Sequence, residues 1–219
     1  MLLLIDLDNT LIDRRAAFKS WAESRFGESE TPWLVEADKD GFEAREMLAA
    51  RIVARYGGDA HEMLAELRAG MVAQMSPDPE IDAVLVEAAD AGFVPFVVTN
   101  GTVAQQEAKL RRTGLDRLVA GWTISEGVGV RKPDPRIFEI AAAEAGRSWA
   151  RTKPGKPGTG WMVGDSAAAD VGGGVAAGLR TGWVSLKREW PADLAFRPDV
   201  TAATGAAVLR EVIKASQGG

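Results

Sequence analysis

From Asp78 to the C-terminus, helix-like and strand-like segments alternate, and that rhythm admits few folds. Ile81, Val84, Leu85, Ala88 and Ala89 recur at helical spacing, and the helix they predict stops near Gly92. The valine-rich run Phe93 to Val98 follows, short and apolar throughout, as a strand buried on both faces must be. The pattern then predicts a helix over Thr102 to Thr113, a strand over Leu118 to Ile124 and a helix over Pro135 to Ala145. A strand over Trp161 to Val163, a helix over Ala167 to Ala177, a strand over Thr181 to Leu186 and a last helix over Thr204 to Ala215 complete it. Parallel strands need crossovers, and helices supply them on both faces of the sheet. The expected fold class is α/β, with a Rossmann-like parallel sheet.

One stretch breaks the rhythm. Leu2 to Asp6 reads as the first strand, but Arg14 to about Pro77 has little strand character. Arg14 to Phe26, Gly41 to Tyr56 and Ala60 to Met75 read as helices instead, with His61 among them as a surface residue. The expected organisation is therefore an α/β core, 1–13 and 78–219, with a helical insertion at 14–77. Gly146 to Gly160 is biased in composition, with Arg147, Arg151, Lys153 and Lys156 among prolines and glycines. It lies between a helix and the next strand, at the edge of the sheet away from the ligand edge, and reads as a solvated loop.

Four short motifs fall at the C-terminal ends of four predicted strands, which is where an open parallel sheet binds its ligands. In Asp6-Leu7-Asp8-Asn9-Thr10, two carboxylates leave an apolar strand two residues apart. On an ideal strand they would point the same way and repel, which predicts a cation beside them; an all-oxygen site suits Mg²⁺. Thr99-Asn100-Gly101 offers a hydroxyl and the backbone N–H groups of a turn leading into a helix, donors fit for a phosphate oxygen. Lys132, in Lys132-Pro133-Asp134-Pro135, is held between a strand and a helix start, where a positive charge stays put. Gly164-Asp165-Ser166, with Asp170 beyond it, adds carboxylates that either cap a helix or complete a metal site.

In this order and on these elements, the motifs resemble those of the haloacid-dehalogenase-like superfamily, and the insertion resembles that family's helical first-class cap. The resemblance implies a phosphatase in which Asp6 attacks phosphorus and Asp8 serves as general acid and base. It implies Mg²⁺ held by the Asp6 carboxylate, the Asp8 backbone carbonyl and Asp165, with Asp170 as a further ligand or a support. It also implies that Thr99, Lys132 and the N–H groups of Asn100 and Gly101 bind the phosphoryl oxygens. Asp8 favours phosphate chemistry over carbon–halogen cleavage, because a halide leaves without an acid. A phosphomutase with the same core, a receiver-like signalling domain and an inactive binding module are the competing readings.

The expected partner is a small phosphorylated metabolite, such as a sugar phosphate, a nucleotide or phosphoglycolate. Arg14, Arg15, Phe18, Trp21, Trp33 and Arg45 are the insertion's candidates for selecting it, although aromatics at helical spacing more often build a core. The net charge of -5 gives no reason to expect nucleic acid. The absence of cysteine excludes thiol catalysis and thiolate metal sites. No basic n-region precedes the first strand and no apolar run reaches about 18 residues, so a cytoplasmic protein is expected.

Overall fold

The computed structural model describes residues 1–41, 43–151 and 158–217. They fall into two compact units, Met1–Ile12 with Pro77–Gly219, and Asp13–Ser76. The smaller unit is helical: α1 (Arg14–Phe26), α2 (Thr31–Asp38), α3 (Arg45–Tyr56) and α4 (Ala60–Ala73). α2 is absent from the sequence-based expectation, although Pro32 in its first turn is a start signal. Phe18, Trp21, Leu34, Leu48, Ile52 and Leu67 pack together as this unit's core.

The larger unit holds a six-stranded sheet, β1 (Leu2–Ile5), β2 (Val94–Thr99), β3 (Trp122–Ile124), β4 (Trp161–Gly164), β5 (Arg180–Val184) and β6 (Val200–Ala202). All the pairings are parallel, in the order β3-β2-β1-β4-β5-β6. Its helices are α5 (Pro79–Asp90), α6 (Val103–Thr113), α7 (Ser125–Val128), α8 (Arg136–Glu144), α9 (Gly173–Ala177) and α10 (Gly205–Gln217). On one face α8 and α9 cover Leu2, Leu4, Phe96, Val98 and Met162 with Ile137, Phe138, Ala141 and Ala177. α5 and α10 pack against each other and against β2, β4 and β5.

Two expectations need correction. The strand expected from Leu118 is shorter, because a 3-10 turn at Leu115–Arg117 leads into irregular chain and regular pairing starts at Trp122. The single helix expected over Ala167 to Ala177 is split: Ala167–Gly172 is π-helical and only Gly173–Ala177 is α-helical. Of the biased basic segment, Arg151 forms an exposed pair with Glu139, while Lys153 and Lys156 lie outside the described residues. Among the described residues, no helix is long and apolar enough to cross a membrane.

The strand order runs one way from β1 through β2 to β3 and the other way from β4 through β5 to β6, so the direction of winding reverses between β1 and β4. Loops leaving adjacent strands at such a point diverge to opposite faces and open a crevice at the C-terminal edge.

Candidate active site

β1 is buried at every position and delivers Asp6 to that crevice. The Asp6 N–H donates to the Val163 carbonyl at 2.8 Å, extending the β1–β4 ladder by one residue. The chain then folds back on itself. The Leu11 and Ile12 N–H groups both donate to the Leu7 carbonyl at 3.0 Å, and Asn9 takes a left-handed φ of 59°. Asp6 therefore closes the strand and Asp8 stands where the chain folds back beyond it, and each carboxylate finds its own lysine. Lys132 Nζ is 2.5 Å from Asp6 Oδ1. Lys109 Nζ is 2.7 Å from both oxygens of Asp8. The repulsion foreseen between the pair is met by two side chains that arrive from other elements.

Asp6, Asp165 and Asp170 form the second feature. Each offers one carboxylate oxygen, and these atoms lie within 4.8 Å of one another, all three residues buried. Asp165 follows β4 directly, and its backbone carbonyl accepts from Trp183 Nε1 at 2.9 Å and Arg188 Nη2 at 2.7 Å. Arg188 Nη2 also reaches Asp165 Oδ2 at 3.1 Å. Asp170 comes from the π-helical stretch, a geometry often found where a helix must present a functional side chain. Its Oδ1 accepts from Lys132 Nζ at 2.7 Å and its Oδ2 from the Ser166 N–H at 2.9 Å. A Cβ at position 164 would stand 2.2 Å from the Asp170 carboxyl carbon, so only glycine ends β4 without expelling that carboxylate. Ser166 is the N-cap residue itself, accepting from the Ala169 N–H at 3.1 Å, so neither aspartate holds that position.

Burial raises the Asp6 carboxyl well above the ordinary range; Lys132 opposes this, while Asp170 and Asp165 add to it. Asp165 is pushed up to about 6, first by burial and then by Asp170, against the pull of Arg188. Burial alone would lower the Lys132 ammonium, but Asp170 and Asp6 outweigh it and hold Lys132 above its usual value. Three buried acids with one buried lysine carry more negative charge than they neutralise, and hard oxygen donors at this spacing suit a divalent cation such as Mg²⁺. The Asp8 carboxylate does not belong to this group. Its oxygens face Lys109 and Gln106 instead.

The remaining expected residues also lie at this edge. Thr99 ends β2, buried, and its Oγ1 accepts from Gln106 Nε2 at 2.6 Å. Asn100 uses its carboxamide to bind the backbone of Lys132: Nδ2 donates to the Lys132 carbonyl at 3.1 Å and Oδ1 accepts from the Lys132 N–H at 2.9 Å. It thereby ties the second motif to the third. The Gly101 N–H departs from expectation: it donates to Ser125 Oγ at 3.0 Å instead of facing an anion. The turn is closed too tightly for any larger residue, since a Cβ there would meet Gln106 at 2.9 Å.

Gln106, Lys109 and Arg188 are absent from the sequence-based set. α6 buries Gln106, Lys109, Leu110 and Thr113, an i, i+3, i+4, i+7 stripe that is mostly polar. A polar stripe on the inner face of a helix is a legible signal. Arg188 stands in a loop after β5 with no local pattern to mark it. In the helical unit, Arg14 is buried and makes two bonds to Asp38 at 2.9 and 2.6 Å, and Arg45 joins the same carboxylate at 2.5 Å. Arg15 pairs with Asp40. Phe18 and Trp21 belong to that unit's core, while Arg55 stacks over Trp33.

Comparison with known proteins gives this geometry a setting. Residues 1–178 match the family model for haloacid dehalogenase-like hydrolases. The chain is 41% identical over 100 residues to the pyrimidine 5'-nucleotidase YjjG of Escherichia coli, a match covering 45% of this chain and 41% of that protein. It is 36% identical over 137 residues to a phosphoserine phosphatase of Thermus thermophilus, covering 63% and 50%. These matches span half or less of those relatives' length. The L-2-haloacid dehalogenase of Xanthobacter autotrophicus shares the fold, with a TM-score of 0.74 at 18% identity over 96% of this chain and 97% of that one.

Proposed function

Since this chain belongs to the haloacid dehalogenase-like hydrolases, we propose that it is a Mg²⁺-dependent phosphatase, cleaving a small phosphate monoester through an aspartyl-phosphate on Asp6. One observation carries this reading: the two carboxylates of the first motif have separate surroundings. Asp6 sits in the acidic cluster with Lys132, whereas Asp8 is held apart by Lys109 and Gln106. Two acids given different environments can take different roles, one attacking and one moving protons. A halide leaving group needs no such acid. The nucleotidase and the phosphoserine phosphatase among the relatives support phosphate chemistry as well.

In this mechanism an Asp6 oxygen attacks phosphorus, the bond from phosphorus to the leaving oxygen breaks, and the Asp8 carboxyl gives that oxygen its proton. Asp8, now a carboxylate, takes a proton from water as the water oxygen attacks phosphorus. The acyl-phosphate bond breaks, releasing inorganic phosphate and restoring Asp6. Thr99 Oγ1, the Asn100 N–H and Lys132 Nζ are assigned to the phosphoryl oxygens. Asp6, Asp165 and Asp170, with the Asp8 carbonyl, would hold Mg²⁺. The bound ion supplies positive charge where the anionic nucleophile and the anionic phosphate would otherwise repel. We assign selection of the leaving group to the helical unit, Asp13–Ser76, which contains a cavity of about 400 Å³ lined in part by Arg15, Phe18, Lys39 and Asp40.

The protein is expected to hydrolyse para-nitrophenyl phosphate with added Mg²⁺ and to stop when the ion is chelated. Activity that ignores chelation would remove the metal from the mechanism, and inactivity on this ester and on a panel of phosphorylated sugars and nucleotides would reject the phosphatase reading. A mutase would be recognised by transfer of phosphate to a second sugar hydroxyl in place of release.

Metal affinity should also depend on pH. Asp165 is raised to about 6 and Asp6 is raised as well, so both must shed protons to bind the ion. Apparent Mg²⁺ affinity is expected to fall as pH drops through about 6, where Asp165 takes up its proton, by about tenfold per unit for each proton displaced. Without the ion, Asp165 pulls stability the other way. Its proton is held more tightly in the folded chain than in the unfolded one, so its contribution is full below the ordinary aspartate value of 3.8 and is lost as pH rises through about 6. Thermal shifts on Mg²⁺ addition at pH 5, 6 and 7.5 would check both trends; equal shifts at all three would contradict them.

A further inference from the structure

The Asp8 carboxylate and the Thr99 hydroxyl are joined by one side chain. Gln106 Nε2 lies 3.0 Å from Asp8 Oδ2 and 2.6 Å from Thr99 Oγ1, and the residue is 1% exposed. Lys109, three residues further along α6 and also buried, sets its ammonium 2.7 Å from both oxygens of the same carboxylate. Residues three apart on a helix share a face, so both groups reach the crevice from one turn of α6.

We propose that Gln106 and Lys109 are positioning residues that hold the Asp8 carboxyl in register with Thr99, so that the proton donor meets the leaving oxygen of a phosphoryl group held by Thr99. This inference rests on the phosphatase reading. Its content is geometric. By accepting from Gln106, the Thr99 oxygen turns its own hydrogen away from the amide, toward an acceptor elsewhere. A carboxyl gripped by a lysine on both oxygens and by an amide on one has little freedom to rotate. Orientation of an acid matters most when the leaving group is a strong base, which cannot depart without its proton. Were these residues only filling space, their loss would slow every ester alike.

Two aryl esters of nearly the same shape separate these cases. Phenyl phosphate expels a far more basic oxygen than para-nitrophenyl phosphate, and kcat/KM reports the step in which that oxygen leaves. Gln106→Met, which adds no charge and nearly keeps the volume, is expected to lower kcat/KM for phenyl phosphate at least about tenfold more than for para-nitrophenyl phosphate. Lys109→Met should show the same split, with Lys109→Arg recovering part of the loss because a guanidinium again engages both oxygens. Equal losses on the two esters, or no loss, would overturn the positioning role. If Lys109→Met does not fold, Gln106→Met alone decides. A wild type inactive on both esters, and on other phosphate monoesters, would instead reject the phosphatase reading, which no split between variants can do.

Discussion

Asp6→Asn is expected to abolish turnover, with para-nitrophenyl phosphate hydrolysis reduced at least about 1,000-fold, while the protein stays folded. Asparagine keeps the shape of aspartate and removes the attacking charge. The fold should not suffer. Burial first, and then Asp170 and Asp165, already disfavour a charge on Asp6, and Lys132 keeps its second partner in Asp170 at 2.7 Å. The metal-free variant should therefore melt no lower than the wild type, within a few degrees. A thermal melt and a rate measurement on one preparation would establish both. Substantial hydrolysis by Asp6→Asn would assign the nucleophile elsewhere and end the proposed mechanism.

Lys132→Met should act on chemistry and stability together, which sets it apart from Asp6→Asn. The Lys132 ammonium is buried between Asp6 and Asp170, and its removal leaves two buried carboxylates without their cation. Breaking a buried pair from one side costs about 3–5 kcal/mol, and protonation of the raised Asp6 carboxyl would offset part of it. In the metal-free protein we expect a loss of about 3 kcal/mol at neutral pH, shrinking as pH falls and the acids take up protons. Mg²⁺ restores positive charge to the same carboxylates, so its addition should raise the melting temperature of Lys132→Met more than that of the wild type. Turnover should still fall by about 100-fold or more with the ion bound, since the phosphoryl group loses a fixed cation. Near-normal turnover in this variant would remove Lys132 from the phosphate site. An equal response of both proteins to Mg²⁺ would mean that the ion and the lysine do not share carboxylates.

Legibility in the sequence followed the range of the interaction. β2 and β4 were readable because strands buried on both faces must be apolar throughout, and α6 was readable with both its ends, since Thr102 accepts from the Gln105 N–H and Gly114 closes the helix in a left-handed conformation. Those signals lie within a few residues of the elements they mark. β6 was not readable. Three residues long, partly exposed and at the sheet edge, it carries no apolar run, and only pairing with β5 makes it a strand. The π-helical turn at Ala167–Gly172 was equally silent, because nothing in alanines and glycines distinguishes it from an α-helix.

The same division runs through the candidate site. Asp6, Asp8, Thr99, Lys132, Asp165 and Asp170 could be singled out because strand ends are locally encoded and a parallel sheet carries its strand ends to one edge. What each side chain meets there depends on strand order, which no local pattern contains. Reversal of winding between β1 and β4 sets Asp6 beside Asp165, and the crossovers bring Lys132 to Asp6 from 126 residues away and Lys109 to Asp8 from 101. The Gly101 N–H went to Ser125 for the same reason: its neighbour was chosen by the packing of β2 against β3 and not by the turn. The amino-acid sequence by itself determined the α/β class, the helical interruption and the strand-end chemistry, all of which depend on periodicity and short-range sterics. Tertiary structure alone decided which acid is paired with which cation, because charges so far apart along the chain interact only once the sheet has closed the distance between them.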